Sequence, residues 1–186
     1  MNHQDDWSRE LALIRQSGGL LEPGLSNAEL AAAEELCGAR FPPDLKSFLS
    51  TAMPVGKGFP DWRVRDEAGL QYRLDWPFDG VRFDIENNAF WLSEWGPRPD
   101  DLSAAIEVAR RAVAAAPKLI PIYSHRFLPT EPLKSGNPVF SVYQTDIIYY
   151  GRDLHTYFAH EFGGANYAES ITPKPRHIRF WSDLTS

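Results

Sequence analysis

The chain has 186 residues, a formal charge of −6 and one cysteine, so an internal disulfide and a cysteine-based zinc site are excluded. Its 43% hydrophobic and 24% charged residues are those of an ordered globular protein, and no segment approaches the roughly 20 apolar residues that a membrane-spanning helix needs. The acidic balance argues against a duplex-binding protein, which needs a basic footprint, and is compatible with a basic protein partner.

The elements follow in order. Residues 7–19 read as a short helix, with Trp7, Leu11 and Ile14 at helical spacing and Gly18-Gly19 ending it. In residues 25–38, Ser26 and Glu29 have the spacing of a capping box, Leu25 and Leu30 that of a hydrophobic staple, and Gly38 supplies the left-handed stop. Residues 40–53 form a third helix entered through Pro42-Pro43, with Leu45, Phe48 and Leu49 on one side. Residues 56–77 change character. Trp62 and Val64, then Leu70, Tyr72 and Leu74, alternate as short strands around a turn at Glu67-Ala68-Gly69. Residues 78–90 read as a short helix bearing Val81 and Ile85. Residues 101–117 predict a strong helix, capped by Asp100 or Asp101, with an apolar stripe of Leu102, Ile106, Ala109 and Val113.

Strands are then expected at 118–123, 138–143 and 147–150, followed by a helix over 153–164 and an apolar end, HIRFWSDL, that docks on the body. Both faces of PVFSVY and IIYY are apolar, so their sheet is expected to be covered on both sides. The irregular order of helices and strands, without a Gly-rich phosphate loop, predicts an α+β fold with a mainly antiparallel sheet. The organisation read from this is an N-terminal helical extension over 1–24 and one domain over 25–186. The polar, acidic N-terminus MNHQDDWSRE lacks a basic region followed by an apolar run, which reads as a soluble, cytoplasmic protein.

Asp146 is the one charge in GNPVFSVYQTDIIYYG. Buried beside tyrosines and near His125 or His155, it would have a raised pKa and would suit a general acid. Alternatively, Gln144-Thr145-Asp146 links two strands and the carboxylate bonds backbone N–H groups at the turn. The turn reading is favoured, because one carboxylate without a spaced partner makes no mechanism. His155 and His160 are five apart and do not share a helix face, so no metal or other cofactor is called for. Cys37 lies on the apolar side of its helix and reads as a small hydrophobe.

Three blocks fall in a recognisable order. They are Leu25-Ser26, Glu29-Leu30, Glu34, Gly38 and Phe41-Pro42-Pro43-Asp44-Leu45 with Phe48-Leu49; Phe90-Trp91 with Glu94-Trp95-Gly96; and Leu119-Ile120-Pro121-Ile122, Gly136-Asn137-Pro138-Val139-Phe140-Ser141-Val142, Asp146, Tyr150-Gly151 and Leu154. Together, over roughly residues 25–165 of a single-domain span, they resemble the SUKH superfamily. That group includes a fungal cell-wall-synthesis regulator and many bacterial immunity proteins paired with polymorphic toxins. Family members often carry Asn-Gly after the Pro-Pro helix, where this chain has Thr51-Ala52-Met53-Pro54-Val55-Gly56. The resemblance implies a SUKH-like α+β fold that binds other proteins and has no established catalytic residues.

Residues 75–96 are the expected binding segment. Asp75, Asp79, Asp84, Glu86 and Glu94 lie among Trp76, Phe83, Trp91 and Trp95, with Arg82 the sole cation. Aromatics supply buried area at an interface and carboxylates steer a basic partner. The competing reading makes the tryptophans core and the acids its solvated rim. The candidate partner-binding residues are Asp75, Trp76, Asp79, Glu86, Trp91, Glu94 and Trp95. The expected function is a non-enzymatic immunity protein that blocks the active surface of a toxin, possible partners including a basic, nuclease-type one, with no nucleic-acid or membrane binding. The alternatives are an intracellular regulatory scaffold and a hydrolase using Asp146 with a histidine.

Overall fold

Helix α1 (Ser8–Gln16) and strand β1 (Leu20–Pro23) open the computed structural model, which describes residues 6–63 and 66–185. Next comes α2 (Asn27–Cys37). Ser26 accepts from the Glu29 backbone N–H while the Glu29 carboxylate accepts from the Ser26 backbone N–H, and Gly38 ends the helix at φ 59°. Leu25 and Leu30, the staple pair, are both buried. α3 (Pro43–Thr51) buries Leu45, Phe48 and Leu49 and passes directly into β2 (Ala52–Val55), which pairs antiparallel with β1. Residues 52–53, expected at the end of that helix, are therefore in a strand. So short a pairing depends on a partner about 30 residues away in sequence, which local patterns do not reveal.

The largest departure from expectation lies in α4 (Glu67–Asn87). The expected strands through Leu70, Tyr72 and Leu74 are its first two turns, and the expected short helix is its second half. Val64 lies outside the described residues. Pro77 lacks an N–H and its ring crowds the carbonyl four residues back, at a cost of about 3 kcal/mol, so it reads as a terminator. The helix nevertheless runs through it. Leu70, Leu74, Pro77, Val81 and Ile85 make one stripe, and Leu70, Val81 and Ile85 are fully buried. Three such side chains contribute about 5–9 kcal/mol, which outweighs the proline. Asp66 caps the start by accepting from the Gly69 backbone N–H.

α5 (Leu102–Ala115) is capped by Asp101 as expected, but its buried face is Ala105 and Ala109, while Leu102 is exposed. Small alanines let α5 approach α4 closely, and this turns Leu102 outwards. Four antiparallel strands follow in spatial order: β3 (Leu119–Tyr123), β4 (Arg126–Pro129), β5 (Val139–Tyr143) and β6 (Asp146–Gly151). β4 was not anticipated, because RFLP begins with a charge and ends with a proline. α6 (Leu154–Gly163) carries a capping box from Asp153 and Thr156, and the four-residue α7 (Tyr167–Ser170) comes after it.

The sheet is covered on both faces. Ile120, Ile122, Leu128 and Val139 join the cluster built by α1, α2, α3 and α6. Leu119, Phe127, Phe140, Val142 and Ile147 pack with Trp76, Ile178 and Trp181 on the other face. The C-terminal segment docks as expected: the Trp181 indole donates to the Pro117 carbonyl at 2.6 Å, and Thr185 makes a parallel bridge to Ile147. Trp7 and Ile14 of the N-terminal segment are buried in the first cluster. The architecture is an α+β single domain with seven α-helices among the described residues. No helix among them is long and apolar enough to cross a membrane.

Cys37 is buried in the first cluster, and burial pushes its thiol up to about 12. Only the thiolate reacts with alkylating agents. Iodoacetamide at pH 8 is expected to leave the folded protein unmodified and to label it once in denaturant, as read by mass.

Candidate protein-binding surface

The exposed side of α4 is set by its buried one. With Leu70, Pro77, Val81 and Ile85 turned inwards, Tyr72, Asp75, Trp76, Asp79 and Phe83 fall on a neighbouring face at spacings of three and four. Tyr72 is 60% exposed and Phe83 45%, and Asp75 and Asp79 are exposed. Trp76 is half-buried and bridges this face to the second core cluster. Gln71 donates to Asp75 at 2.9 Å and so orients it along the helix. Further along, Arg82 is paired with Glu86 at 2.8 Å, which largely cancels the one cation of the segment.

The β5–β6 hairpin completes the surface. Three ties hold it to α4. The Trp76 indole donates to the Val142 carbonyl at 2.9 Å. The Asp84 carboxylate accepts from the Thr145 backbone N–H at 2.9 Å and from its hydroxyl at 2.6 Å. At Gly80, a side-chain carbon would stand 2.7 Å from the Gln144 Cα, so only glycine lets the hairpin approach this closely. The hairpin presents Tyr143, 57% exposed, beside Trp76 with ring centroids 6.5 Å apart.

Asp84 therefore has the role expected of Asp146, that of the carboxylate holding the turn. It comes from a distant helix, so nothing local to the hairpin marks it. Burial acts to raise its pKa, but hydrogen bonds from the Thr145 hydroxyl, the Asn88 amide and the Thr145 backbone outweigh this and hold the carboxyl below the usual range. Its folded pKa is depressed, so its stabilising contribution is present above the ordinary value of about 3.9 and is lost as pH falls through the folded value. Asp84→Ala is expected to cost about 2 kcal/mol at pH 7, since hydrogen bonds to a charged group are at stake. Urea unfolding should show the gap from wild type narrowing as the solution is acidified below about pH 4.

Asp146 itself corrects an expectation. It is exposed at the start of β6, opposite Tyr143 in register, and is not held in the interior. No hydrogen bond or ion pair joins it to a histidine among the described residues. The His125 ring meets the Ser124 hydroxyl at 3.2 Å, the His155 ring meets Glu10 at 3.1 Å and the His160 ring meets the Ala165 carbonyl at 2.7 Å. The tyrosines are also divided. Tyr149 donates to Ser182, Tyr150 lies beneath the Arg126 guanidinium, and Tyr143 faces outwards.

Of the candidate binding residues, the structure brings Asp75, Trp76 and Asp79 together on one helix face, with Glu86 two turns on. Trp91, Glu94 and Trp95 lie apart from them, in the segment after α4. Trp91 and Trp95 are half-buried against a small cluster of Val81, Ile85, Ala105 and Ala109, their rings edge to face at 5.1 Å, and the Trp91 indole donates to the Gly96 carbonyl. Glu94, on the 3-10 turn Ser93–Trp95, is exposed. Sequence reasoning missed Tyr72 and Tyr143 as surface aromatics. The signal for Tyr72 was its helical spacing with Trp76, Asp79 and Phe83.

An open cleft of about 550 Å³ lies between the 56–59 loop, the first half of α4 and the Ser124-His125 turn, with Tyr72 and Trp76 on one side. Lys57 and Arg73 line it, as do Asp61 and Asp66, so its formal charges balance. The acidic excess lies outside it, at Asp75, Asp79 and Asp146. Comparison of the chain with protein-family models, with curated proteins and with solved structures returns no match.

Proposed function

We propose that this chain is a non-enzymatic protein-binding module of the SUKH type, an immunity protein that covers the active surface of a toxin. The observation that carries the reading is the α4–hairpin surface. Exposed Tyr72, Phe83 and Tyr143 lie among Asp75, Asp79 and Asp146, on two elements fixed to each other by three ties. Large aromatics on a rigid support supply contact area at little entropic cost, and carboxylates around them steer a basic partner. The blockade is steric and electrostatic and needs no reacting group.

The test is affinity capture from the source cell with the full chain, followed by calorimetry of the purified pair. An immunity role predicts one dominant, tightly held partner whose activity is abolished in the complex. Several weakly held partners, none of them inhibited, would support a regulatory scaffold. Loss of binding on changing Trp91 and Glu94, with no effect of changes at Asp75 and Asp79, would move the contact to the segment after α4.

A further inference from the structure

The aromatic end of the surface has a geometry of its own. Tyr72 and Trp76 stand edge to face with centroids 5.7 Å apart and planes at 79°. Trp76 and Tyr143 are 6.5 Å apart and inclined at 58°, and His125 closes the row at 6.4 Å and 75° from Tyr143. Rings so inclined do not bury one another. Tyr72 and Tyr143 keep more than half of their surface exposed, although Trp76 lies between them. Two carboxylates, Asp75 and Asp79, occupy the same helix face, one residue before Trp76 and three after it. Of the nearby cations, Arg73 turns to the Ser124 carbonyl and Arg82 is paired with Glu86, while Lys57 lines the cleft that Tyr72 and Trp76 border. Burial first, and Arg126 second, hold the His125 pKa below its ordinary value, so this ring adds no positive charge at neutral pH.

We propose that Tyr72, Trp76 and Tyr143, with Asp75 and Asp79, form a notch that accepts an arginine side chain from a basic protein partner. This rests on the protein-binding reading above and names the chemistry of its central contact. Aromatic faces attract cations, and a flat guanidinium stacks on a ring while donating to a carboxylate, which a compact ammonium does so less well. The charge on the helix face complements a guanidinium: Asp75 and Asp79 are exposed beside the aromatic rings, and the one basic residue between Asp75 and Asn87, Arg82, is paired with Glu86.

End-capped hexa-arginine and hexa-lysine peptides carry equal charge and separate stacking from simple attraction. Titration at low salt, followed by the Trp76 indole N–H resonance, is expected to give an affinity for hexa-arginine about five times that for hexa-lysine. Tyr143→Leu and Tyr72→Leu change no charge at exposed positions and should keep the fold, as checked by melting. Each is expected to reduce the preference about threefold. Asp75→Asn should weaken both peptides, and hexa-arginine more than hexa-lysine, because only the guanidinium stacks while it donates to the carboxylate. Equal affinity for the two peptides, no binding of either, or a preference that survives Tyr143→Leu would overturn the notch. A captured cellular partner that binds wild type and Tyr143→Leu equally would also overturn it while leaving the protein-binding reading intact. An arginine preference without any captured partner would support the notch and count against the immunity role.

Discussion

The double variant Asp75→Lys/Asp79→Lys is expected to lose about 100-fold or more in affinity for the captured partner while remaining folded. Both side chains are exposed, and the hydrogen bond from Gln71 to Asp75 is a surface contact. Surface substitutions of this kind usually change stability by no more than about 0.5 kcal/mol, a melting shift of about 2 °C or less in a domain of this size. Binding responds differently. Each replacement removes an attraction and adds a repulsion on the face that a basic partner approaches, and like charges brought together at an interface cost several kcal/mol. About 3 kcal/mol corresponds to roughly 150-fold. Most of the loss that comes from steering should appear in the association rate and shrink as salt is added. Calorimetry at two ionic strengths, with Asp75→Asn/Asp79→Asn as a neutral intermediate, checks this. Unchanged affinity in a folded double-lysine variant would remove α4 from the contact.

Arg126→Ala is expected to be the most destabilising single change outside the apolar core, at about 3 kcal/mol. Arg126 is 9% exposed. Its guanidinium donates to Glu161 at 3.1 Å and to the Ser141 hydroxyl at 2.9 Å, and lies 3.7 Å over the Tyr150 ring. It joins β4, β5, β6 and α6 at one point. Removing one partner of a buried ion pair leaves the other charge without compensation and costs about 3–5 kcal/mol. The lower end applies because Glu161 keeps some contact with water, with its side chain 17% exposed. Arg126→Met/Glu161→Leu, which removes both charges and keeps the volume, should lose much less. Urea midpoints of the single and double variants decide it. Equal losses would mean that Arg126 contributes through packing on Tyr150 and not through its charge. Because this joint is on the far side of β5 from Trp76, Arg126→Ala should leave partner affinity unchanged wherever the protein remains folded.

The hairpin shows how much of the candidate site was legible and how much was not. That a turn at Gln144-Thr145-Asp146 links two strands follows from residue types; in the structure Gln144-Thr145 is the turn and Asp146 is already the first residue of β6. Which carboxylate holds the turn does not follow. Asp84 is 61 residues away and looks like one more acid in an acidic segment, while Asp146, the conspicuous charge, stands in solvent. The same division runs through the binding segment. Asp75, Trp76 and Asp79 were named as candidate contact residues from composition alone, and the structure places them on one helix face. Tyr72 was assigned to a strand and Tyr143 to the core, because exposure depends on what else covers a face. Trp91 and Trp95 are half-buried, with one side packed on Val81, Ile85, Ala105 and Ala109.

Composition, caps and periodicity by themselves determined the α+β class, the starts and stops of α2, α5 and α6, and the two-sided burial of the main sheet. Each of these is decided within one or two turns of helix, or by the apolar character of a single strand, so the information lies within a few neighbouring residues. Tertiary structure alone decided that α4 runs unbroken through Pro77, that Ala105 and Ala109 rather than Leu102 face inwards, that β1 finds β2, and that α4 and the β5–β6 hairpin form one surface. Those outcomes depend on which distant side chains share the burial free energy, a sum over contacts between elements that a local reading does not contain.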